Sequence, residues 1–318
     1  MTELSIIIPH YNSVESLNQL LRSIPIKDEI QVIVVDDKSN ENLEQYEDIK
    51  EKIKNKNIIY KKNESSKKGA GVCRNIGLES AKGNWVIFAD ADDYFTDDFY
   101  TIIKEYFESE YDIVYFIPTS IDLNTGRITD RHIPYEEKVV NYINQKDLSS
   151  ELDLRYKFEV PWSKMIKREL IRDNTIRFDE IMMANDVMFS AKIGYYARKI
   201  CASNQVIYCV TRNNGSLTTN VSTFAYETRL NTAIRYNNFL REYLSGEEYK
   251  ILDMHGFDYI INSIRYKRGI KMIVYTIKKL KENSIKIIGR KYFNPKHLIK
   301  KATFKYTQYK NERRYLSE

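Results

Sequence analysis

Trp85-Val-Ile-Phe-Ala-Asp-Ala-Asp-Asp93 carries five apolar residues straight into an alternating set of carboxylates. A short continuous apolar run of this kind reads as a buried strand, and the acids mark its carboxyl end. Two carboxylates in alternation at a strand end can hold a hard divalent cation, because oxygen ligands favour Mg or Mn over softer metals. As a bare tripeptide Asp90-Ala-Asp92 says little, since acidic triplets are common in loops. Its setting makes it a candidate site: a strand precedes it, and Thr96 could cap a following helix that carries Phe99, Ile102, Ile103 and Phe107.

Upstream, Leu4-Ser-Ile-Ile-Ile-Pro9 reads as a short buried strand, and Leu17, Leu20, Leu21 and Ile24 follow at helical spacing. Gln31-Val-Ile-Val-Val35 is a second strand ending in Asp36-Asp37, and a polar helix through the forties leads to a third strand near Ile58 to Tyr60. Gly69-Ala-Gly-Val-Cys-Arg-Asn75 then opens another helix. Strands alternating with helices predict an α/β fold with a mainly parallel sheet and flanking helices. Such sheets bind ligands at the carboxyl ends of their strands, where Pro9, Asp36, Asp37 and Asp90 to Asp93 all fall. Either Asp36 or Asp37 could accept a hydrogen bond from a nucleobase or ribose, or cap the turn that follows; one structural and one ligand-facing residue are expected.

Downstream the pattern weakens. From Ile113 to Asp153 only mixed strands and loops are expected, with a turn at Asn124-Thr-Gly126. From Thr223 onward the chain reads as helical, with Ile270, Ile273, Val274 and Ile277 on one helix face and a break at Pro295. A chain of 318 residues exceeds the usual single-domain size, so a main domain over residues 1–220 and a helical, basic region over 221–318 are expected.

Charge divides the chain in the same way. Residues 264–315 carry 17 Lys and Arg against Glu282 and Glu312, a net +15, while the remainder holds 33 basic and 42 acidic residues, a net −9. Cys73, Cys201 and Cys209 lack CxxC spacing, which argues against a disulfide framework and a zinc site and for a reducing, cytosolic setting. The amino terminus lacks the basic region and cleavage site of a secretory signal, and no apolar run reaches the ~18 residues that cross a bilayer.

Four blocks in order then become specific: Ile6-Ile-Ile-Pro-His-Tyr-Asn12, Val34-Val-Asp-Asp-Lys-Ser39, Gly71-Val-Cys-Arg-Asn-Ile-Gly77 and Phe88-Ala-Asp-Ala-Asp-Asp93. Together they resemble the signature of family 2 glycosyltransferases of the GT-A fold. Weaker echoes continue at Pro161-Trp-Ser-Lys164, Asn185-Asp186 and Arg212-Asn-Asn-Gly-Ser216. The resemblance implies inverting transfer of a sugar, usually from a UDP-sugar, to an acceptor hydroxyl with Mn or Mg as cofactor.

By position, the resemblance implies that Pro9 to Tyr11 line the base pocket, with Tyr11 stacking on uracil and Asp36 or Asp37 bonding base or ribose. Asp92 would be the chief metal contact, and Asp90 would hold ribose or a metal-bound water. Ala91 and Asp93 would face the donor. Gly69 and Gly71 would let the backbone pass close to the nucleotide, and Arg74 would position it or the Asp90 loop; Asn75 and Gly77 are read as structural. Asp186 is the expected general base, in a place where the family carries an acidic pair; Asn185 replaces the first acid, and a helix cap is the competing reading of Asp186. Arg212 and Ser216 would neutralise the leaving diphosphate, and Trp162 and Lys164 would face the acceptor, a core Trp being the alternative. Of the four histidines only His10 falls near the proposed pocket.

The basic end interleaves its cations with Tyr266, Tyr275, Tyr292, Phe293, Phe304, Tyr306 and Tyr309. Such a composition suits an anionic membrane surface, where a lipid-linked glycan acceptor would be met. A solvated helical face, or self-association as a homo-oligomer, is the competing reading, and no nucleic-acid motif accompanies the charge. A cytoplasmic enzyme peripheral at the inner face of the membrane is therefore expected. The rivals are a nucleotidyltransferase and a catalytically silent nucleotide-sugar-binding or scaffold module of a polysaccharide assembly complex, for which Asn185 is the one departure that speaks.

Overall fold

The computed structural model describes residues 2–53, 57–212, 222–265 and 268–295, with positions 299, 303 and 306. Among them eight strands form one sheet: β1 (Leu4–His10), β2 (Ile30–Asp36), β3 (Ile58–Lys62), β4 (Trp85–Phe88), β5 (Tyr94–Phe95), β6 (Ile113–Asp122), β7 (Lys164–Lys167) and β8 (Ile200–Arg212). Their spatial order is 3-2-1-4-7-6-8-5. Every residue of β2 and β4 is buried, as expected of strands covered on both faces. The β1–β2, β1–β4, β2–β3 and β6–β8 pairs are parallel, while β4–β7, β6–β7 and β5–β8 are antiparallel. The sheet is thus mixed, and its parallel half is the part the amino-terminal alternation predicts.

Eight helices belong to the same part of the chain: α1 (Val14–Ser23), α2 (Leu43–Lys52), α3 (Ala70–Ser80), α4 (Phe99–Lys104), α5 (Ile133–Gln145), α6 (Leu148–Lys157), α7 (Arg168–Asp173) and α8 (Val187–Tyr196). Helices α5 and α6 correct the expectation of only strands and loops between Ile113 and Asp153. Their signals are terminal rather than periodic: Pro134 sits in the first turn of α5, and Asp147 and Ser150 form a capping box at α6. The turn at Asn124-Thr-Gly126 is present, closed by Asp122 Oδ1, which accepts from the amides of Asn124 and Thr125. Thr96 does not cap α4. Its hydroxyl donates to Val206 O at 2.8 Å, and Asp98 holds the cap position.

Strand pairing also opens the site. The β1–β4 ladder runs from Leu4–Trp85 to Ile7–Phe88, whereas β1 stays paired with β2 as far as His10–Asp36. Beyond Ile7, strands β1 and β4 part, at the point where the sheet order turns from 3-2-1 to 4. Ligands of open α/β sheets bind in such a crevice. Gly77 permits the close packing beneath it, since a Cβ there would stand 2.4 Å from Ile7 Cγ2.

The chain divides into two compact units, Met1–Asn213 and Asn214–Glu318. The second is helical over its described residues, with α9 (Thr223–Tyr243), α10 (Gly246–Leu252), α11 (Phe257–Arg265) and α12 (Gly269–Glu282). Tyr226, Leu230, Ile234, Leu280 and Ile285 form its core, and the Tyr226 hydroxyl meets Thr276 Oγ1 and Ser263 Oγ at 2.6 Å each. The expected apolar stripe of α12 is only partly inward. Ile270 and Val274 lie 79% and 57% exposed, because Thr276 and Leu280 occupy the buried face. Tyr292 is buried against His255 and Phe257, Phe293 and Tyr306 are exposed, and Tyr266, Phe304 and Tyr309 lie outside the described residues.

Candidate active site

The carboxyl ends of β1 and β2 build one wall. Asp36 ends β2 and accepts from the Ser39 amide through both oxygens, at 3.2 and 3.3 Å, so it closes the turn that follows. Asp37 is equally engaged: Oδ1 accepts from Asn63 Nδ2 at 2.6 Å and Oδ2 from the Gly69 amide at 2.7 Å. It ties the ends of β2 and β3 to the start of α3. Both acids are buried, and the expected division into one structural and one ligand-facing residue is not apparent in their contacts. Pro9 pairs with Val35 at the edge of the crevice, and Tyr11 is 48% exposed with Lys68 Nζ 5.0 Å from its ring centre. An open aromatic face at this place suits a stacked base. His10 is buried against Tyr46, ring centres 4.8 Å apart, and burial holds its imidazole down at about 4.

Helix α3 then joins the strand ends to the loop before α8. A Cβ on Gly71 would come within 2.2 Å of Asp179 O, so its glycine is required by that loop's backbone, a reason beyond the expected nucleotide approach. Asn75 grips the same loop in both directions: Nδ2 donates to Phe178 O at 3.1 Å, and the Phe178 amide donates to Oδ1 at 2.9 Å. Arg74, buried on α3, donates to Asp90 Oδ1 at 2.6 Å and to Asn185 Oδ1 at 2.7 Å.

The acidic loop after β4 holds three carboxylates with oxygens that lie within 4.8 Å of one another. They are not equivalent. Asp93 is buried, its Oδ2 accepting from Tyr208 Oη at 2.8 Å and its Oδ1 from the Thr211 amide at 2.7 Å. Burial, then the charges of Asp92 and Asp90, push its carboxyl well above the usual range. Tyr208 also accepts from the Asp90 amide at 2.9 Å, so one phenol on β8 sets the whole loop. Asp92 is exposed, and the side chain of Asp90 is 33% exposed. Desolvation, then the Asp90 charge, raise the Asp92 carboxyl. An exposed carboxylate and a half-exposed one held by Arg74, beside an anchored third, fit a hard divalent cation, which Asp92 and Asp90 would hold. Ala91 is buried in the hydrophobic core.

Asp186 occupies the N-cap position of α8, yet its side chain makes no capping hydrogen bond. The competing reading of it as a cap therefore loses its observation. Burial raises its carboxyl, opposed by the charge of Arg74 and reinforced by Asp90. Around the first turn of this helix the Ser190 hydroxyl donates to Glu159 O at 2.6 Å, and Lys164 Nζ reaches Ser190 Oγ at 3.4 Å. Burial brings Lys164 down to about 7, and burial together with the Asp186 charge lifts Glu159 to about 7. Glu159 and Tyr208 carry no signal in the sequence, one standing before a Pro-Trp pair and the other resembling any core strand tyrosine.

The structure places the expected acceptor residues inside the protein. Trp162 is 5% exposed and stacks on Tyr208 with ring centres 5.8 Å apart, and Lys164 is fully buried beneath Tyr115 and Phe158. The core alternative describes Trp162, and Lys164 stands against Phe158 O and Ser190 Oγ rather than on an open acceptor face. Arg212 ends β8 with Nη1 3.6 Å from Asp130 Oδ1, and Ser216 lies outside the described residues.

The family described as Glycosyl transferase family 2 matches residues 5–175. The chain belongs to glycosyl transferase family 2. Its relatives include the poly(ribitol-phosphate) beta-N-acetylglucosaminyltransferase TarS of Staphylococcus aureus, 28% identical over 225 residues, which are 68% of this chain and 36% of the relative. The poly(ribitol-phosphate) beta-glucosyltransferase of Bacillus spizizenii is 28% identical over 222 residues, 65% of this chain and 32% of that protein. The chain thus spans about a third of the length of these family 2 relatives.

Solved structures agree on the GT-A fold. Staphylococcus aureus TarS 1-349 in complex with UDP-GlcNAc superposes with a TM-score of 0.68 at 20% identity, covering 89% of this chain and 80% of that one. The mannosyltransferase PcManGT of Pyrobaculum calidifontis, in complex with GDP-Man and Mn2+, gives 0.53 at 15% identity over 89% and 75%.

Proposed function

We propose that this family 2 chain catalyses inverting transfer from a UDP-sugar to a hydroxyl of a growing, lipid-linked surface polysaccharide. Asp186 is its base, and Mn or Mg is held at Asp90 and Asp92. The acceptor hydroxyl gives its proton to Asp186 and its oxygen bonds to the anomeric carbon, while the bond to the diphosphate breaks and UDP departs. The divalent ion, when bound, supplies positive charge against the departing diphosphate.

The observation that carries this reading is the placement of Asp186: a carboxyl at a helix start that caps nothing, joined through Arg74 and Asn185 to the Asp90 loop. Donor and acceptor chemistry would meet across that link. The same placement fits catalysis better than a silent binding module, since this half-buried carboxyl makes no capping bond at its helix start. The UDP-GlcNAc held by the TarS structure supports a UDP-sugar donor, and the names of the two relatives put poly(ribitol phosphate) in the acceptor panel.

Among the described residues no helix is long and apolar enough to cross a membrane. Exposed Ile264, Ile270, Val274 and Phe293 among lysines and arginines support peripheral attachment to an anionic, cytoplasmic-face bilayer. Release of UDP from a panel of UDP- and GDP-sugars, with and without acceptor, tests the reading. Full acceptor-dependent transfer by Asp186→Ala would require another base. Failure to float with anionic vesicles at low salt would remove the membrane part alone.

A further inference from the structure

Trp162 and Lys164 are packed inside, and two residues at the start of α5 reach the site instead. Arg131, just ahead of the helix, donates through Nη1 to Thr211 O at 2.7 Å. The Thr211 amide donates to Asp93 Oδ1 at 2.7 Å, and its hydroxyl donates to Asp92 O. In a strand the N–H and C=O of one residue point to the same edge, so the guanidinium lies on the edge of β8 that faces the acidic loop. The nearby Arg212 is engaged by Asp130 at 3.6 Å. Arg131 is half-buried, and among the described residues no carboxylate pairs with it. Tyr135, in the first turn of α5, is half-buried too, with its ring centre 4.9 Å from those of Phe158 and Trp162. Trp162 stacks on Tyr208, which holds Asp93, while Phe158 precedes Glu159, whose carbonyl accepts from Ser190 in α8. The Tyr135 ring therefore lies over the segment that joins the acidic loop to the helix of Asp186. Burial, then the charges of Glu159 and Asp186, raise its phenol, and the Arg131 charge opposes them.

We infer that Arg131 and Tyr135 form an acceptor subsite that takes an oxyanion, phosphate or carboxylate, beside the sugar or polyol being glycosylated. The inference rests on the proposed transfer to a glycan hydroxyl and narrows that glycan to an anionic one. Sheet order separates the two sides of the acidic loop. The wall of Tyr11, Asp36 and Asp37 belongs to β1 and β2, the acidic loop follows β4, and Arg131 and Tyr135 come from beyond β6 to rest against β8. A nucleotide laid along the first wall reaches Asp92 with its diphosphate, so Arg131 lies on the other side, toward an incoming acceptor. Anchoring through Nη1 leaves Nε and Nη2, the edge of a guanidinium that bonds an oxyanion through two parallel hydrogen bonds. Arginine keeps its proton at every working pH, so the subsite stays cationic. Tyr135 adds a ring against which the apolar face of a sugar can rest. Both residues fall in the stretch whose pattern conceals α5, which is why spacing alone does not single them out.

The test uses the full chain saturated with UDP and Mg2+, so that the donor's place is filled. A ribitol phosphate oligomer, an oligogalacturonate and a neutral maltooligosaccharide are each titrated into it by calorimetry. Wild type should bind one of the two anionic oligomers about tenfold more tightly than Arg131→Gln does, the scale of a charge-assisted pair. Arg131→Lys should fall between them, and UDP affinity should be the same in all three proteins. The basic carboxyl-terminal region attracts anions in every variant, so the difference between variants is the readout. Which anionic oligomer shows the difference tells phosphate from carboxylate. Equal binding by wild type and Arg131→Gln, or binding of neither anionic oligomer, would overturn the subsite. A loss of UDP affinity in Arg131→Gln would assign the guanidinium to the donor diphosphate and overturn it as well. Tyr135→Phe, which keeps the packing, should retain binding, whereas a folded Tyr135→Leu should weaken it; no change in Tyr135→Leu would remove the ring from the subsite. Transfer retained by Asp186→Ala would end the base reading and leave these binding differences in place.

Discussion

Arg74 and Asn185, 111 residues apart in the chain, are joined by a 2.7 Å hydrogen bond inside the protein, and the same guanidinium holds Asp90 at 2.6 Å. The loop that would bind the metal and the loop that presents Asp186 are therefore fastened to one side chain on α3. A shift of either loop is transmitted to the other.

Arg74→Lys keeps the charge but cannot reproduce this fork. Transfer should fall by about a hundredfold, the scale at which a 1 Å misplacement acts. Asp90 is a third exposed, so the discounted stability loss is about 1–2 kcal/mol. Equal losses of donor binding and transfer would instead point to a contact confined to the nucleotide.

Asp92 and Asp93, adjacent in sequence, should fail in different ways. Asp93→Ala leaves the Tyr208 hydroxyl and Thr211 amide without their acceptor and should cost about 2–4 kcal/mol in urea denaturation. Asp92→Ala, at an open position, should change stability by about 0.5 kcal/mol or less. It should abolish the rise in thermal midpoint that Mn2+ or Mg2+ gives the wild-type protein. A midpoint that still responds fully to Mn2+ in Asp92→Ala would move the metal elsewhere.

Gly71→Ala introduces a Cβ 2.2 Å from Asp179 O, against backbone rather than a flexible side chain. The loop carrying Asn185 and Asp186 must yield, at about 1–3 kcal/mol of stability. Transfer to acceptor should drop further than UDP binding, which isothermal titration of UDP beside a turnover assay would resolve.

Stability should also respond to pH through Glu159. Its carboxyl is raised from 4.5 to about 7, so the folded chain holds that proton more tightly than the unfolded chain. The contribution is fully present below about 4.5 and is lost as pH rises through about 7. It is on the order of 3 kcal/mol. Over this window the thermal midpoint of Glu159→Gln should fall less than that of wild type.

Local pattern alone was sufficient for the parallel half of the sheet. Leu4 to Ile8, Gln31 to Val35 and Trp85 to Phe88 are continuous apolar runs, and such runs have no stable place except a covered strand. The acids following two of these strands, Asp36-Asp37 and Asp90 to Asp93, were legible for the same reason, as was the helix opened by Gly69. Helices α5 and α6 were not, because their aromatic and polar positions mask the period and only their caps mark them.

Which acids are anchored and which stand open was settled by tertiary contact. Asp92 and Asp93 are indistinguishable as letters, and only the arrival of Tyr208 and Thr211 from β8, more than a hundred residues later, anchors one and leaves the other open. Trp162 and Lys164 read as an acceptor face and proved to be packed inside, since burial depends on what the rest of the chain lays over a segment. The sequence by itself determined which residues carry charge and where strands end. Long-range packing decided which of those charges meet, as Arg74 meets Asp90, and which are spent on holding loops, because desolvation and Coulomb interaction act over distances in space and not along the chain.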